Sequence, residues 1–179
     1  STMRTLKNFM LLIMTVSLVT LTSCKSDDDG GGGGNAPSGT LTAKVDGANF
    51  QSLDISSSAT VANNGQNLII IASSTDANAF AITIVGYSGP GTYPLGGGAN
   101  IFNVASYTET DVDLSNPQNS TTEIWQAPYN DTQVGEINIS EETDTKVIGT
   151  FNFTGKNVNG DQSEKTITDG SFNLNKQVQ

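Results

Sequence analysis

The stretch VIGTFNFT, residues 147–154, decides the fold class. Val147, Gly149, Phe151 and Phe153 fall on one face of an extended strand, and the polar or branched residues between them fall on the other. Alternation with a period of two predicts a strand that has one face in a hydrophobic core and the other in solvent.

Similar short segments, separated by turn residues, recur through residues 40–179. The candidates are Leu41–Val45, Leu68–Ala72, Phe80–Ile84, Ile101–Tyr107, Thr121–Ala127, Gln133–Ile139 and Lys165–Leu174. Because the Leu68–Ala72 run is continuously apolar, it predicts a central strand buried on both faces. Gly170 falls where the period shifts between Ile167 and Phe172, which predicts a β-bulge.

No part of residues 40–179 shows a sustained helical period, and Ser, Thr, Asn and Gly are plentiful. We therefore expect a single all-β domain over this range. The spacing of the turns favours one antiparallel β-sandwich of about nine to ten strands. A lipocalin-like closed barrel is the alternative, which the sequence does not separate from the sandwich.

Residues 1–23 have the order of a lipoprotein signal peptide. Arg4 and Lys7 precede Phe9–Leu21, an apolar stretch of about 13 residues that is too short to span a bilayer stably. A small residue, Ser23, stands directly before the chain's single cysteine, Cys24, as a lipobox requires. We expect Cys24 to carry the lipid that anchors the protein to a membrane. An ordinary secretory signal cleaved near Ser23, or a short membrane anchor, is the alternative.

The residues that follow Cys24 resemble a more particular signal. Lys25, Ser26, Asp27, Asp28 and Asp29 are similar to the acidic export signal of surface lipoproteins of the Bacteroidota. That resemblance implies an outer-membrane lipoprotein that faces the cell exterior. A solvated acidic spacer is the alternative reading.

Residues 24–39 as a whole are expected to form a lipidated, acidic and glycine-rich tether, since five glycines occupy positions 30–34. The chain carries a net charge of −10, and removal of the signal peptide leaves 6 basic and 18 acidic residues, a net charge of −12. Such a surface repels phosphate backbones, so no nucleic-acid partner is expected. Because the one cysteine is assigned to lipid, we expect no disulfide.

The composition also excludes several kinds of catalysis. The chain has no histidine, so neither a Ser-His-Asp triad nor a histidine zinc site is possible. Gly96–Gly98 lacks the Lys-Ser/Thr that would seat a nucleotide phosphate. Carboxylates such as Glu109, Glu123 and Glu136 lie in polar stretches where a solvated side chain is the ordinary expectation. We expect the chain not to be an enzyme.

Asp111 and Asp113 suggest a weak calcium site. They open a segment with oxygen-bearing side chains at alternate positions, as calcium loops do. The segment is not an EF-hand, because Asn116 stands at the glycine position and Thr122 at that of the bidentate glutamate. The alternative is a solvated acidic loop. No other cofactor is expected.

Aromatic residues suggest a weak ligand site. Trp125 shares one face of its strand with Glu123 and Ala127, and a solvent-facing Trp125 would form a platform for sugar rings together with Tyr129 and Tyr107. The alternative is that Trp125 belongs to the core, as a lone tryptophan in a small β-domain usually does.

Four short motifs, taken in order, are similar to an uncharacterised family of small Bacteroidota lipoproteins, a domain of unknown function. They are residues 43–50, 91–95, 149–153 and 167–172. The resemblance implies a surface β-domain and no particular activity. Together with the export signal, it predicts a non-catalytic binding module for a glycan or an envelope protein. A structural or adhesive domain without a discrete ligand site is the alternative.

Overall fold

The computed structural model describes residues 36–98 and 102–179 of the chain. The predicted signal peptide, Cys24 and the predicted export signal, residues 25–29, lie outside the described residues. Eleven strands follow one another: β1 (Leu41–Val45), β2 (Ala48–Gln51), β3 (Ser57–Ala62), β4 (Asn67–Ser73), β5 (Ala79–Val85), β6 (Gly91–Leu95), β7 (Val104–Asp111), β8 (Thr121–Ala127), β9 (Gly135–Glu142), β10 (Lys146–Lys156) and β11 (Glu164–Val178). Two 3₁₀ turns, Asp54–Ser56 and Pro117–Asn119, precede β3 and β8. Within the described ranges, no helix has both the length and the apolar character needed to cross a membrane.

The strands form one sheet with the order β2-β1-β11-β3-β4-β5-β7-β8-β10-β9-β6, and β11 also pairs with β10. The sheet is folded into two layers. We call β3, β4, β5, β7 and β8 the first layer, and β2, β1, β11, β10, β9 and β6 the second layer. A short pairing of β11 with β3 joins the layers at one side, and the single bridge pair of Lys156 with Gln126 joins them at the other.

The hydrophobic core lies between the two layers. Phe80 of the first layer is completely buried, and its ring centre lies 4.8 Å from that of Phe50 and 5.4 Å from that of Phe151, both of the second layer. Edge-to-face contacts of this kind add to the free energy gained from apolar burial. The inward positions of every strand supply the rest of this core. The all-β prediction is confirmed, and the arrangement is consistent with a sandwich.

The segment that predicted the fold lies at the centre of the second layer. Val147, Gly149, Phe151 and Phe153 are buried in β10, as their alternation indicated. The predicted bulge is also present, because the pairings of β11 with β1 and with β10 both shift register next to Gly170. A Cβ atom at Gly170 would lie 2.3 Å from the Phe151 carbonyl oxygen, so only glycine fits there.

Three details differ from the expectation. The sheet has eleven strands, and it is mixed because residues 176–178 of β11 run parallel to residues 59–61 of β3. The prediction that Leu68–Ala72 is buried on both faces is wrong. Leu68, Ile70 and Ala72 are buried, but Ile71 is 50% exposed and Ile69 is half-buried. The outward side of the first layer faces solvent, so an apolar run here does not mean burial on both sides.

The chain enters the domain on the outward side of the second layer. The Ala36 backbone N–H donates to the Ser171 hydroxyl at 2.9 Å, and the Gly39 N–H donates to the Asn173 carbonyl at 2.7 Å. Ala36 itself is buried. Residues 36–39, which the sequence assigned to the tether, therefore contact β11.

Candidate functional site

Trp125 is a core residue, as the alternative interpretation has it, and is not a solvent-facing platform. Its side chain is 3% exposed, and its indole N–H donates to the Ser163 hydroxyl at 2.9 Å. The Lys165 Nζ covers the ring at 4.4 Å from its centre. Alternation correctly grouped Trp125 with Ala127 on one strand face, but that face is the inward one.

Tyr107 is also buried, because it lies on the inward face of its strand, β7. It lies directly opposite Trp125 in the β7–β8 pairing, with the two ring centres 6.1 Å apart. Its ring is therefore not a platform either. Burial raises the pKa of the Tyr107 hydroxyl above its usual value, and the neighbouring Glu109 carboxylate raises it further. The hydroxyl thus stays protonated and able to donate a hydrogen bond.

Tyr129 is half-buried and accessible. It borders an open groove of about 640 Å³, whose other walls come from β9 and β10 and include Glu136, Asn152 and Thr154. The Lys156 Nζ lies 5.8 Å from the ring centre. The structure therefore separates Tyr129 from Trp125 and Tyr107, and no shared platform of the three exists.

Asp113 caps a turn. Its Oδ1 accepts hydrogen bonds from the Ser115 N–H at 2.9 Å, the Ser115 hydroxyl at 2.6 Å and the Asn116 N–H at 2.9 Å. These donors, led by the Ser115 hydroxyl, hold the pKa of the Asp113 carboxyl below its usual value. Asp111 is an exposed residue that pairs with Thr121 at the end of β7. Among the described residues, no group of three or more acidic side chains gathers to hold a metal ion.

A polar recess lies at one end of the sandwich, and we call it the end cavity. It has a volume of about 400 Å³. Its walls are the β1–β2 hairpin, the loop between β4 and β5, and the ends of β7 and β11. Its polar lining includes Asn49, Gln51, Asn78, Tyr107, Glu109 and Lys165.

Turn geometry positions the hairpin wall of the end cavity. Asp46 and Gly47 both have positive φ, +49° and +86°, which is the geometry of a tight two-residue hairpin turn. The Asp46 carboxylate accepts a hydrogen bond from the Thr166 N–H at 2.8 Å, and this bond fixes the hairpin against β11. Asn49 and Gln51 of β2 are thereby held at the cavity wall, on either side of the buried Phe50.

An ion pair forms the floor of the end cavity. The Lys165 Nζ lies 3.0 Å from the Glu109 Oε1, and 20% of the lysine side chain is exposed. Lys165 is in the same inward phase as Ile167 on β11, and Glu109 is in the same inward phase as Tyr107 on β7. A charged residue at an inward strand position costs free energy unless it is paired. In this pair the lysine and glutamate charges compensate each other at the floor of the cavity.

Four residues of the cavity lining were not predicted from the sequence: Lys165, Asn49, Gln51 and Asn78. Glu109 was predicted to be a solvated carboxylate. One signal was present: Lys165 and Glu109 each fall in the buried phase of an otherwise alternating strand. The pairing of β7 with β8, and the position of β11 beside the hairpin, were needed to bring them together.

A second ion pair lies in the second layer. The Glu142 carboxylate lies 2.6 Å from the Lys176 Nζ and accepts a hydrogen bond from the Tyr87 hydroxyl at 2.7 Å. Burial alone would raise the pKa of Glu142, but the bonds from Lys176 and Tyr87 outweigh it and the pKa is lowered. Burial and the Glu142 carboxylate raise the pKa of Tyr87. This group connects β9, β11 and the segment after β5, and we assign it a structural role.

Comparison with known proteins identifies a family but no activity. No curated protein matches the chain, and no solved structure matches it. The sequence profile of a domain of unknown function, DUF6252, matches residues 37–174. These residues include all of β1 to β10 and most of β11. The chain therefore belongs to the DUF6252 family.

Proposed function

We propose that this protein is a lipid-anchored lipoprotein of the outer membrane, exposed on the cell surface, and that its domain is a non-catalytic module that binds a glycan in the end cavity. The location rests on the Leu21–Cys24 lipobox and the acidic residues 27–29. The observation that carries the binding role is the polar end cavity, which Tyr107 and the amides of Asn49, Gln51 and Asn78 line.

The size and chemistry of the end cavity suit a short stretch of sugar. Its volume of about 400 Å³ falls within the usual range for small-ligand sites. Side-chain amides both donate and accept hydrogen bonds, which matches the paired donor and acceptor character of sugar hydroxyls. Drug-like ligands prefer more apolar pockets than this one.

The charge around the end cavity favours a neutral ligand. Asp46, Asp76 and Glu109 contribute carboxylates to its lining, and Lys165 contributes the single cation among the residues that line it. An anionic ligand would meet net negative potential there. A neutral polysaccharide would not be repelled by this negative potential.

The test is a calorimetric binding screen of residues 24–179 carrying Cys24→Ser against neutral and acidic polysaccharides. Asn78→Ala and Gln51→Ala remove amides from the end cavity, and Asn138→Ala removes an exposed strand amide elsewhere as a matched control. We expect saturable binding to a neutral polysaccharide, weakened about tenfold by each cavity substitution and unchanged by the control. Equal affinity in all variants would remove the end cavity from consideration.

A structural or adhesive surface domain is the second candidate. The observation that favours it is the broad outward side of the first layer, whose strands present Ser, Thr, Asn, Gln and aliphatic residues and no charged side chain. Absence of any saturable ligand in the same screen would favour this candidate.

A further inference from the structure

The outward side of the first layer is uncharged, and we call it the uncharged face. Alternation in β3, β4, β5, β7 and β8 places 18 side chains on this side, from Ser58 on β3 to Gln126 on β8. None of the 18 is Asp, Glu, Lys or Arg. The acidic residues of β7 and β8, such as Glu109 and Glu123, fall in the opposite phase.

This segregation is unusual in a chain whose net charge is −10. The outward side of the second layer carries charges at many positions, including Lys44, Lys146, Glu136 and Asp169. Charged side chains on a sheet surface ordinarily keep it soluble and prevent it from packing against another sheet. Their omission from the whole outward side of one layer marks that layer as a contact surface.

Aliphatic side chains at the centre of the uncharged face are exposed. Ile71 is 50% exposed, and in the sheet register it stands beside Ala81, which in turn stands beside Ser106. Ile69, Thr83 and Val104 form the next row. The face is thus a continuous patch of small polar and aliphatic groups.

We propose that the uncharged face is the interface of a homodimer, in which two copies of this chain pack first layer against first layer. A second copy is the occupant that the charge distribution favours. Without the signal peptide the chain has 6 basic and 18 acidic residues, a net charge of −12, so two copies repel each other by most of their surfaces, and this face lets them approach without opposing like charges. A basic partner would instead be attracted to the acidic remainder of the surface.

The area of the uncharged face agrees with a second copy of the chain as its partner. Five strands about 4.8 Å apart and six residues about 3.3 Å apart cover about 480 Å² on each copy. Two such faces bury about 1,000 Å², which is near the lower limit for a specific interface. Sheets also pack face to face in sandwiches through side chains of this size. The segment 36–39 lies on the other layer and leaves the face unobstructed.

The test is sedimentation velocity of residues 24–179 carrying Cys24→Ser, from about 1 to 200 µM. We expect a reversible dimer with a dissociation constant on the order of micromolar. Ile71→Lys places one charge at the centre of the face, and Thr83→Lys places one in the next row. Each should raise the dissociation constant at least tenfold, because each copy would then bury an unpaired charge in the interface.

Asn138→Lys is the matched control, since it adds the same charge at an exposed strand position of the second layer. All three substitutions make the chain less negative, so a change in overall repulsion would strengthen association and not weaken it. Circular dichroism verifies that each variant is folded. A wild-type monomer at 200 µM, or a dimer that both Ile71→Lys and Thr83→Lys leave intact, would overturn the proposal. The interface is independent of the end cavity, so glycan binding neither supports nor weakens it.

Discussion

Substitution of Trp125 by alanine tests whether the buried end of β8 holds the sandwich together. The indole is 3% exposed, contacts Tyr107 and lies under Lys165. Truncation of a buried tryptophan to alanine costs about 3 to 5 kcal/mol. The lost Ser163 hydrogen bond, about 1 kcal/mol, and the lost cation–π contact with Lys165, about 0.5 to 1 kcal/mol, place the cost toward the upper end.

For a domain of this size, 1 kcal/mol corresponds to a shift of about 3 to 5 °C in Tm. Trp125→Ala should therefore lower Tm by about 12 to 25 °C, measured by far-ultraviolet circular dichroism at neutral pH. Tyr129→Ala is the control, because that ring is aromatic but half-buried, and it should lower Tm by only a few degrees. If Trp125→Ala changed Tm by less than 3 °C and instead abolished ligand binding, the placement of Trp125 in the core would be refuted.

Three further outcomes are expected. Gly149→Ala should destabilise the domain by about 2 kcal/mol or more in urea denaturation, because the added Cβ would lie 2.2 Å from a backbone oxygen of β9. Gly91→Ala is the control and should be nearly neutral, because a Cβ there would meet no atom closer than 3.9 Å. Folding lowers the pKa of the Glu142 carboxyl from its ordinary value of 4.5. The stability that this carboxylate contributes is therefore complete above pH 4.5 and is lost as the pH falls through the lower pKa of the folded state. Glu142→Gln should reduce the fall in Tm between neutral pH and about pH 3. Lys165→Met should cost about 1 to 2 kcal/mol, because it removes both the ion pair and the cation–π contact, and an unchanged urea midpoint would contradict both.

The sequence was sufficient for the fold class because alternation is a local signal. The inward residues of β10 and the bulge at Gly170 were both readable from spacing. The parallel pairing of β11 with β3 was not readable, since it joins residues far apart in the chain. The exposure of Ile71 was missed because an apolar run indicates a buried strand and cannot show that one layer's outward side is open.

The candidate site was less predictable than the fold. Alternation grouped Trp125 with its neighbours correctly, but it did not distinguish the inward face from the outward one. Lys165 and Glu109 are 56 positions apart in the sequence, and only the packing of β11 beside β7 and the hairpin brings them within 3.0 Å. A charge in the buried phase of a strand is the local signal that points to such a pair.

The measurement that tests the proposed function most directly is a nuclear magnetic resonance titration of residues 24–179, carrying Cys24→Ser, with the polysaccharide fragment that binds most tightly. We expect saturable shifts to concentrate on the backbone amides of four residues that surround the end cavity: Asn49, Gln51, Asn78 and Glu109. Shifts that concentrate around Tyr129 or across the uncharged face, or no shift with any fragment, would contradict it.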